Sequence, residues 1–141
     1  MKPLVTFADP ERHQIDMLCA AFADRPESFK PATISPTFPT SALTPGVTHL
    51  QVELEVGGAD DYPITERAQM RYTCYASKGQ RDAVKNLATL TQALVYAQPG
   101  DSAVAGARIT IGRSDVVIDP DTKSLMVWFV ATVTMKATVL T

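Results

Sequence analysis

The sequence is short of the residues that mark most chemistry. It contains two cysteines, two histidines and one tryptophan in 141 residues. Two cysteines are too few for a disulfide framework. Both Cys19 and Cys74 fall on expected inward faces, which reads as reduced, buried thiols in a cytosolic protein. Neither His13 nor His49 has a cysteine or the other histidine at metal-ligand spacing, so no zinc-type site is encoded. His13 and Cys19 are turned about 240° apart on a helix, which rules out a nucleophile–base dyad. Both histidines are expected at the surface or its rim, and no cofactor is implied. The P-loop, the dinucleotide glycine motif, the nucleophile elbow and the zinc-protease helix motif are all missing.

Charge of one sign is also lacking. Thirteen basic and 15 acidic residues are interspersed and give a net charge of -2. Such a balance provides no electrostatic reason to bind nucleic acid or an anionic membrane. No apolar run approaches the ~20 residues of a membrane helix. The first residues, MKPLVTFADPERHQ, contain no continuous apolar h-region, which reads against secretion. What remains is a globular composition, 45% hydrophobic and 20% charged, in a length that suits one domain over residues 1–141.

Periodicity supplies the elements. Asp9 is placed to cap a helix that begins at Pro10, with Ile15, Leu18, Cys19 and Phe22 inward, and Asp24-Arg25-Pro26 ends it. Five prolines between positions 26 and 45 describe an extended surface connector with a short edge strand near 32–35. Alternation predicts a strand over 48–56, with Leu50, Val52, Leu54 and Val56 on one face and His49, Gln51, Glu53 and Glu55 on the other. A second strand, 67–76, alternates in the same way. After Ser77-Lys78-Gly79 a helix follows whose stripe is Ala83, Val84, Leu87, Leu90, Ala93, Leu94 and Val95.

One hairpin register satisfies both faces of the two strands. It sets Glu55 opposite Arg67, Glu53 opposite Gln69 and Gln51 opposite Arg71, with Leu54 against Ala68, Val52 against Met70 and Leu50 against Tyr72. Residues 97–106 read as a loop too poor in large apolar groups to enter the core. A strand over 107–113 follows, with Ala107, Ile109 and Ile111 inward, and Val116, Val117 and Ile118 extend it past a bulge at Gly112. Asp119-Pro120-Asp121 forms a turn before the longest strand, 125–136. The expected fold is α+β: an antiparallel sheet of four to five strands, two helices packed on one face, and long connecting loops.

Asp60-Asp61 and Asp119/Asp121 read as turns whose carboxylates cap their own backbone rather than as cation sites. Arg67, Arg71 and Arg108 form a polar row that shares its surface with Glu53 and Glu55. Gly57-Gly58 hints at close backbone approach, though a turn is the commoner use. Two features remain: an apolar patch of Met126, Trp128 and Val130 on the second face of the last strand, and long connections at 26–47, 57–66 and 97–106. Together they describe a protein that works by touching other subunits.

Several motifs carry a family resemblance. They are Gly57-Gly58, Thr65-Glu66-Arg67-Ala68, Tyr72-Thr73-Cys74-Tyr75-Ala76, the helix positions Ala83, Leu87, Ala88, Leu90 and Leu94, and the turn Asp119-Pro120-Asp121 followed by an aromatic, threonine-rich strand. In this order they resemble the tail terminator (tail completion) proteins of long-tailed bacteriophages, in the form found in siphophages of actinobacteria. The likeness runs from about Pro10 onward. It implies a non-enzymatic virion protein, assembled in the host cytoplasm, that forms a homo-oligomeric ring, typically a hexamer. The ring would sit on the head-proximal end of the tail tube, stop tube polymerisation and receive the head-completion (neck) protein. DNA would pass through the lumen without specific binding. On this resemblance Glu53, Glu55, Arg67, Arg71, Met126, Trp128 and Val130 become candidates for the subunit interface or the lumen wall. A head-closure or neck connector shares the size and the lack of chemistry, and is the alternative.

Overall fold

Local signals fix the first helix. The Asp9 carboxylate accepts from the Glu11 amide at 3.0 Å, and Pro10 opens the helix where its missing N–H costs nothing. In a computed structural model, which describes residues 2–58 and 62–140, the elements run β1 (Val5–Thr6), α1 (Pro10–Ala23), β2 (Thr33–Ser35), β3 (Thr48–Gly58), β4 (Thr65–Ala76), α2 (Arg81–Ala97), β5 (Val104–Ile111), β6 (Val117–Ile118), β7 (Leu125–Lys136) and β8 (Thr138–Val139). The fold is α+β. Its main sheet has six strands, in the order β2-β3-β4-β7-β5 with β6 also on β7, and every pairing is antiparallel except β2 with β3. The count exceeds the expected four to five because β2 and β6 both pair. A separate two-stranded ribbon joins β1 to β8, which periodicity in such short segments could not announce.

Both helices pack on one face, over a single core of Leu50 and Val52 from β3, Met70, Tyr72 and Cys74 from β4, and Val127, Phe129 and Val133 from β7. At its centre Tyr72 and Phe129 are register partners whose rings stack 4.9 Å apart. The Tyr72 hydroxyl donates to Gln14 Oε1 at 2.7 Å, and Gln14 exchanges amide bonds of 2.9 and 3.0 Å with Gln98 at the end of α2. Burial raises the Tyr72 hydroxyl pKa, so it stays a donor. Gln14 also reaches Nδ1 of His13, whose Nε2 meets Asp101 Oδ2 at 2.7 Å. Asp101 in turn accepts from the Ala103 and Val104 amides.

This network corrects the expected helix faces. The buried positions of α1 are Gln14, Leu18 and Phe22, and Cys19 is exposed rather than inward. A glutamine can occupy the core because every polar atom it brings is satisfied there. On α2 the buried set includes Ala88 and Thr91, while Ala93 lies outside. Thr91 donates to the Leu87 carbonyl at 2.7 Å, which removes the penalty of its hydroxyl. Cys74 is buried as expected, and burial pushes its thiol up to about 12. The segment 97–106 also differs from expectation. Val104 is fully buried and begins β5, because Asp101 folds the chain back onto β7. Ile111 is exposed instead of inward, since the β5–β7 register shifts between Ile109 and Ile111.

The hairpin register is offset by two residues from the expected one. Glu53 faces Arg71, Leu54 faces Met70, Val52 faces Tyr72 and Gln51 faces Thr73. An offset of two keeps residues 49–54 on their expected faces, so alternation alone could not exclude it; past the bulge between Leu54 and Val56, Val56 pairs with Gln69 and is exposed rather than inward. The cause is that β3 continues through Gly57 and Gly58. A Cβ on Gly58 would stand 2.8 Å from the Arg67 carbonyl oxygen, so glycine there permits close strand approach.

Beyond β5, residues 112–116 break the pairing before β6, a longer interruption than a single bulge at Gly112. Ser114 bridges the break, its amide donating to the Trp128 carbonyl and its hydroxyl accepting from the Trp128 amide. The Asp119 turn behaves as expected: its carboxylate accepts from the Asp121 amide and the Thr122 hydroxyl. Asp60-Asp61 lies outside the described residues.

The core sets two expectations for stability. Tyr72→Phe, which removes one buried hydrogen bond, should lower unfolding free energy by about 1 kcal/mol, whereas Phe129→Ala should cost about 3–5 kcal/mol in urea titrations. The second concerns acid. The hydrogen bond from His13 holds Asp101 at about 2, below its ordinary 3.8. A depressed carboxylate contributes stability that is complete above the unfolded value and lost as pH falls through the folded one. Asp101→Asn should therefore flatten the fall in melting temperature between about pH 4 and pH 2.

Candidate interaction surface

The face of the sheet away from the helices divides into three parts. At the β2 end the proline-rich connector folds back over it. His49 Nε2 meets the Thr37 carbonyl at 2.9 Å, Nδ1 meets the Thr33 hydroxyl at 3.0 Å, and Gln51 Nε2 donates to the Pro36 carbonyl at 3.3 Å. Tyr75 donates to Gln51 Oε1, and burial pushes its hydroxyl up to about 12. His49 is therefore buried, not a rim residue, because the connector covers the face alternation assigned to solvent. His13, mostly covered, is held by Gln14 and Asp101.

In the middle, three sequence-predicted residues, Glu55, Arg71 and Trp128, meet. The β3 bulge falls at Glu55 and aims its carboxylate across the strand. Arg71 Nε donates to Glu55 Oε1 at 2.7 Å, and Gln69 donates to the other oxygen at 3.2 Å. The Arg71 guanidinium lies 4.2 Å from the centre of the Trp128 ring. The ion pair expected between Glu55 and Arg67 is thus made with Arg71. Val130, flanked by Arg71 on β4 and Ile111 on β5, is 1% exposed and is not part of an open patch. Met126 and Trp128 are half-buried. Glu53 faces Arg71 across the ladder but makes no ion pair among the described residues.

At the β5 end the face is open. A cleft of about 430 Å³ is lined by Arg67, Arg108, Thr132, Thr134 and the small residues 105–107. Arg67 and Arg108 come from different strands, and alternation places both on this face. The cleft itself depends on Gly106 and its alanine neighbours, which leave room no motif announces.

Sequence reasoning missed the exposed apolar residues at the two ends of β7. Toward its last residues, where Thr65 pairs with Lys136, Val56, Tyr62 and Ile64 are exposed, Ile64 by 77%. Toward its first residues, where Val117 pairs with Met126, Phe38, Val117 and Ile118 are exposed, Ile118 by 61%. The six to ten residues of β7 between the two levels separate the groups by about 20–33 Å. Among the described residues no group of three or more His, Cys, Asp or Glu could hold a metal ion. Among the same residues, no helix is long and apolar enough to cross a membrane.

The single tryptophan reports on the middle zone. Arg71→Ala should red-shift Trp128 emission and increase its quenching by acrylamide, while Glu55→Gln should shift it less. A double-mutant cycle between Glu55 and Arg71 should give about 0.2–1 kcal/mol, since both side chains are partly exposed. An unchanged emission spectrum in Arg71→Ala would show that the guanidinium does not cover the ring.

No protein-family model matches this chain, and no curated protein matches it.

Proposed function

We propose that this protein is a structural tail terminator of a long-tailed phage. It forms a ring, a hexamer on the resemblance, on the head-proximal end of the tail tube, stops tube polymerisation and offers a surface to the neck protein. The observation that carries the reading is the pair of exposed apolar groups toward the two ends of β7. One end presents Val56, Tyr62 and Ile64, and the other Phe38, Val117 and Ile118. Two unlike patches on one chain favour head-to-tail association, which closes into a ring or runs on as a helix according to the rotation between copies. The motif resemblance selects the ring.

The remaining features agree with such a role. Arg71 binds strands to each other, through Glu55 on β3 and Trp128 on β7. Cys74 is buried with its thiol in the unreactive form, and Cys19 is exposed. A net charge of -2 suits a lumen through which DNA slides without being gripped. Val117→Asp with Ile118→Asp, both at exposed positions, should leave the fold intact and abolish function.

The test is made on tails. Tubes assembled without the protein should run past their normal length in negative-stain images, and added protein should restore it. Tails of normal length that fail to join heads would instead assign the protein to the head-closure or neck position.

A further inference from the structure

The hydrogen bonds around Gln14 can run in only one direction. The Val95 carbonyl accepts from Gln98 Nε2 at 3.0 Å. A carbonyl has no hydrogen to give, so this contact decides which end of the Gln98 amide is nitrogen. The second hydrogen on that nitrogen goes to Gln14 Oε1 at 3.0 Å, and Gln98 Oε1 accepts in return from Gln14 Nε2 at 2.9 Å. Gln14 Oε1 also accepts from the Tyr72 hydroxyl. One hydrogen of Gln14 Nε2 is left, and it meets His13 Nδ1 at 3.0 Å. Nδ1 must therefore present its lone pair. The ring proton then sits on Nε2, which donates to Asp101 Oδ2 at 2.7 Å.

We infer that His13 is a proton-sensitive latch on the seam between α1, the end of α2 and the start of β5. With one proton, on Nε2, the ring closes the network; a second proton, on Nδ1, releases Gln14 and opens the seam to water. No rotation of an amide repairs the mismatch. A doubly protonated ring sets its Nδ1–H against the Gln14 N–H. Turning the Gln14 amide over would bring its oxygen against Gln98 Oε1, and turning Gln98 as well would bring oxygen against the Val95 carbonyl. Both glutamines are buried, so a hydrogen left without a partner there draws in water or moves the ring.

The groups around the ring decide how it moves. Asp101 lies before β5, and Asp16 lines the same cleft one turn along α1, where it pairs with Arg12 at 3.3 Å. The Asp9 carboxylate, also on α1, is occupied by the Glu11 amide. Tyr72 of β4 acts through Gln14, and the end of α2 contributes the neutral Gln98. Asp101, held at about 2, keeps its charge while the ring gains one, so it grips Nε2–H more firmly. The ring then pivots about this contact and swings Nδ1 away from Gln14. It moves toward a cleft of about 390 Å³ that opens beside Met17, Ala20 and Pro99. The His13 side chain, 14% exposed, already stands at the rim of that cleft. The latch is closed at high pH and opens as pH falls through the titration of the ring.

NMR on the full chain tests the latch. At about pH 8 the ring-nitrogen signals of His13 should show a bare Nδ1 and a protonated Nε2, with those of His49 followed separately. As pH falls and Nδ1 gains its proton, the side-chain amide hydrogens of Gln14 and Gln98 should exchange faster. After correction for the intrinsic effect of pH, the rise should be at least about tenfold, with circular dichroism unchanged. His13→Gln, which takes up no proton, should show no such step. An Nδ1–H tautomer at about pH 8 would overturn the latch. So would exchange that stays constant through the His13 titration, loss of circular dichroism in the same step, or a step of equal size in His13→Gln. The two wild-type measurements decide the matter without the variant, and neither depends on the terminator reading.

Discussion

The structure depends on what happens at Tyr72. Its ring stacks on Phe129 of the neighbouring strand, and its hydroxyl reaches through the core to Gln14 on α1. Through Gln14 the same hydrogen bonds hold Gln98 at the end of α2. One side chain therefore fixes the β4–β7 register, the position of α1 and the point at which α2 hands over to β5. The arrangement is unforgiving. A buried polar atom left without a partner costs more than a satisfied one contributes, so these groups must be placed together or not at all. His13 and Asp101 extend the set to the surface and close the loop that leads into β5.

With one face of the sheet committed to the helices, the other is divided among three uses. The proline-rich connector covers its β2 end, an Arg71-centred cluster fills its middle, and a basic cleft opens at its β5 end. This division bears on the proposed assembly. The connector and the Arg71 cluster turn what alternation presents as a broad exposed surface into a mostly finished one. What is left for partners is concentrated at the ends of β7. Association through ends rather than through the broad face suits a repeating ring, because each copy must offer two different surfaces at once.

The elements are legible in the sequence wherever local physics chooses them. The Asp9-Pro10 start and the Pro26 stop set the limits of α1, and period-two alternation assigns β3, β4 and β7 their faces. Alternation turns Leu125, Val127, Phe129, Ala131, Val133 and Met135 of the last strand inward, and all six are buried. The Asp119 turn caps itself as its composition requires. Of the interface candidates, Glu55, Arg71, Trp128 and Met126 lie on the face alternation assigns to them.

Backbone period and capping act over a few residues, so the chain alone settles which longer elements form and which side most residues face. Everything else has a long-range cause and waits for the strands and helices to meet. Gly57 and Gly58 carry β3 onward and move the hairpin register by two, which period-two patterning cannot detect. Gln14 displaces Cys19 from the core because its partners come from residues 72 and 98. His49 is buried by a connector whose path no periodicity describes, and Glu55 takes Arg71 instead of Arg67 because a bulge turns it. The open cleft at the β5 end and the unlike patches at the ends of β7 exist only once the strands are side by side.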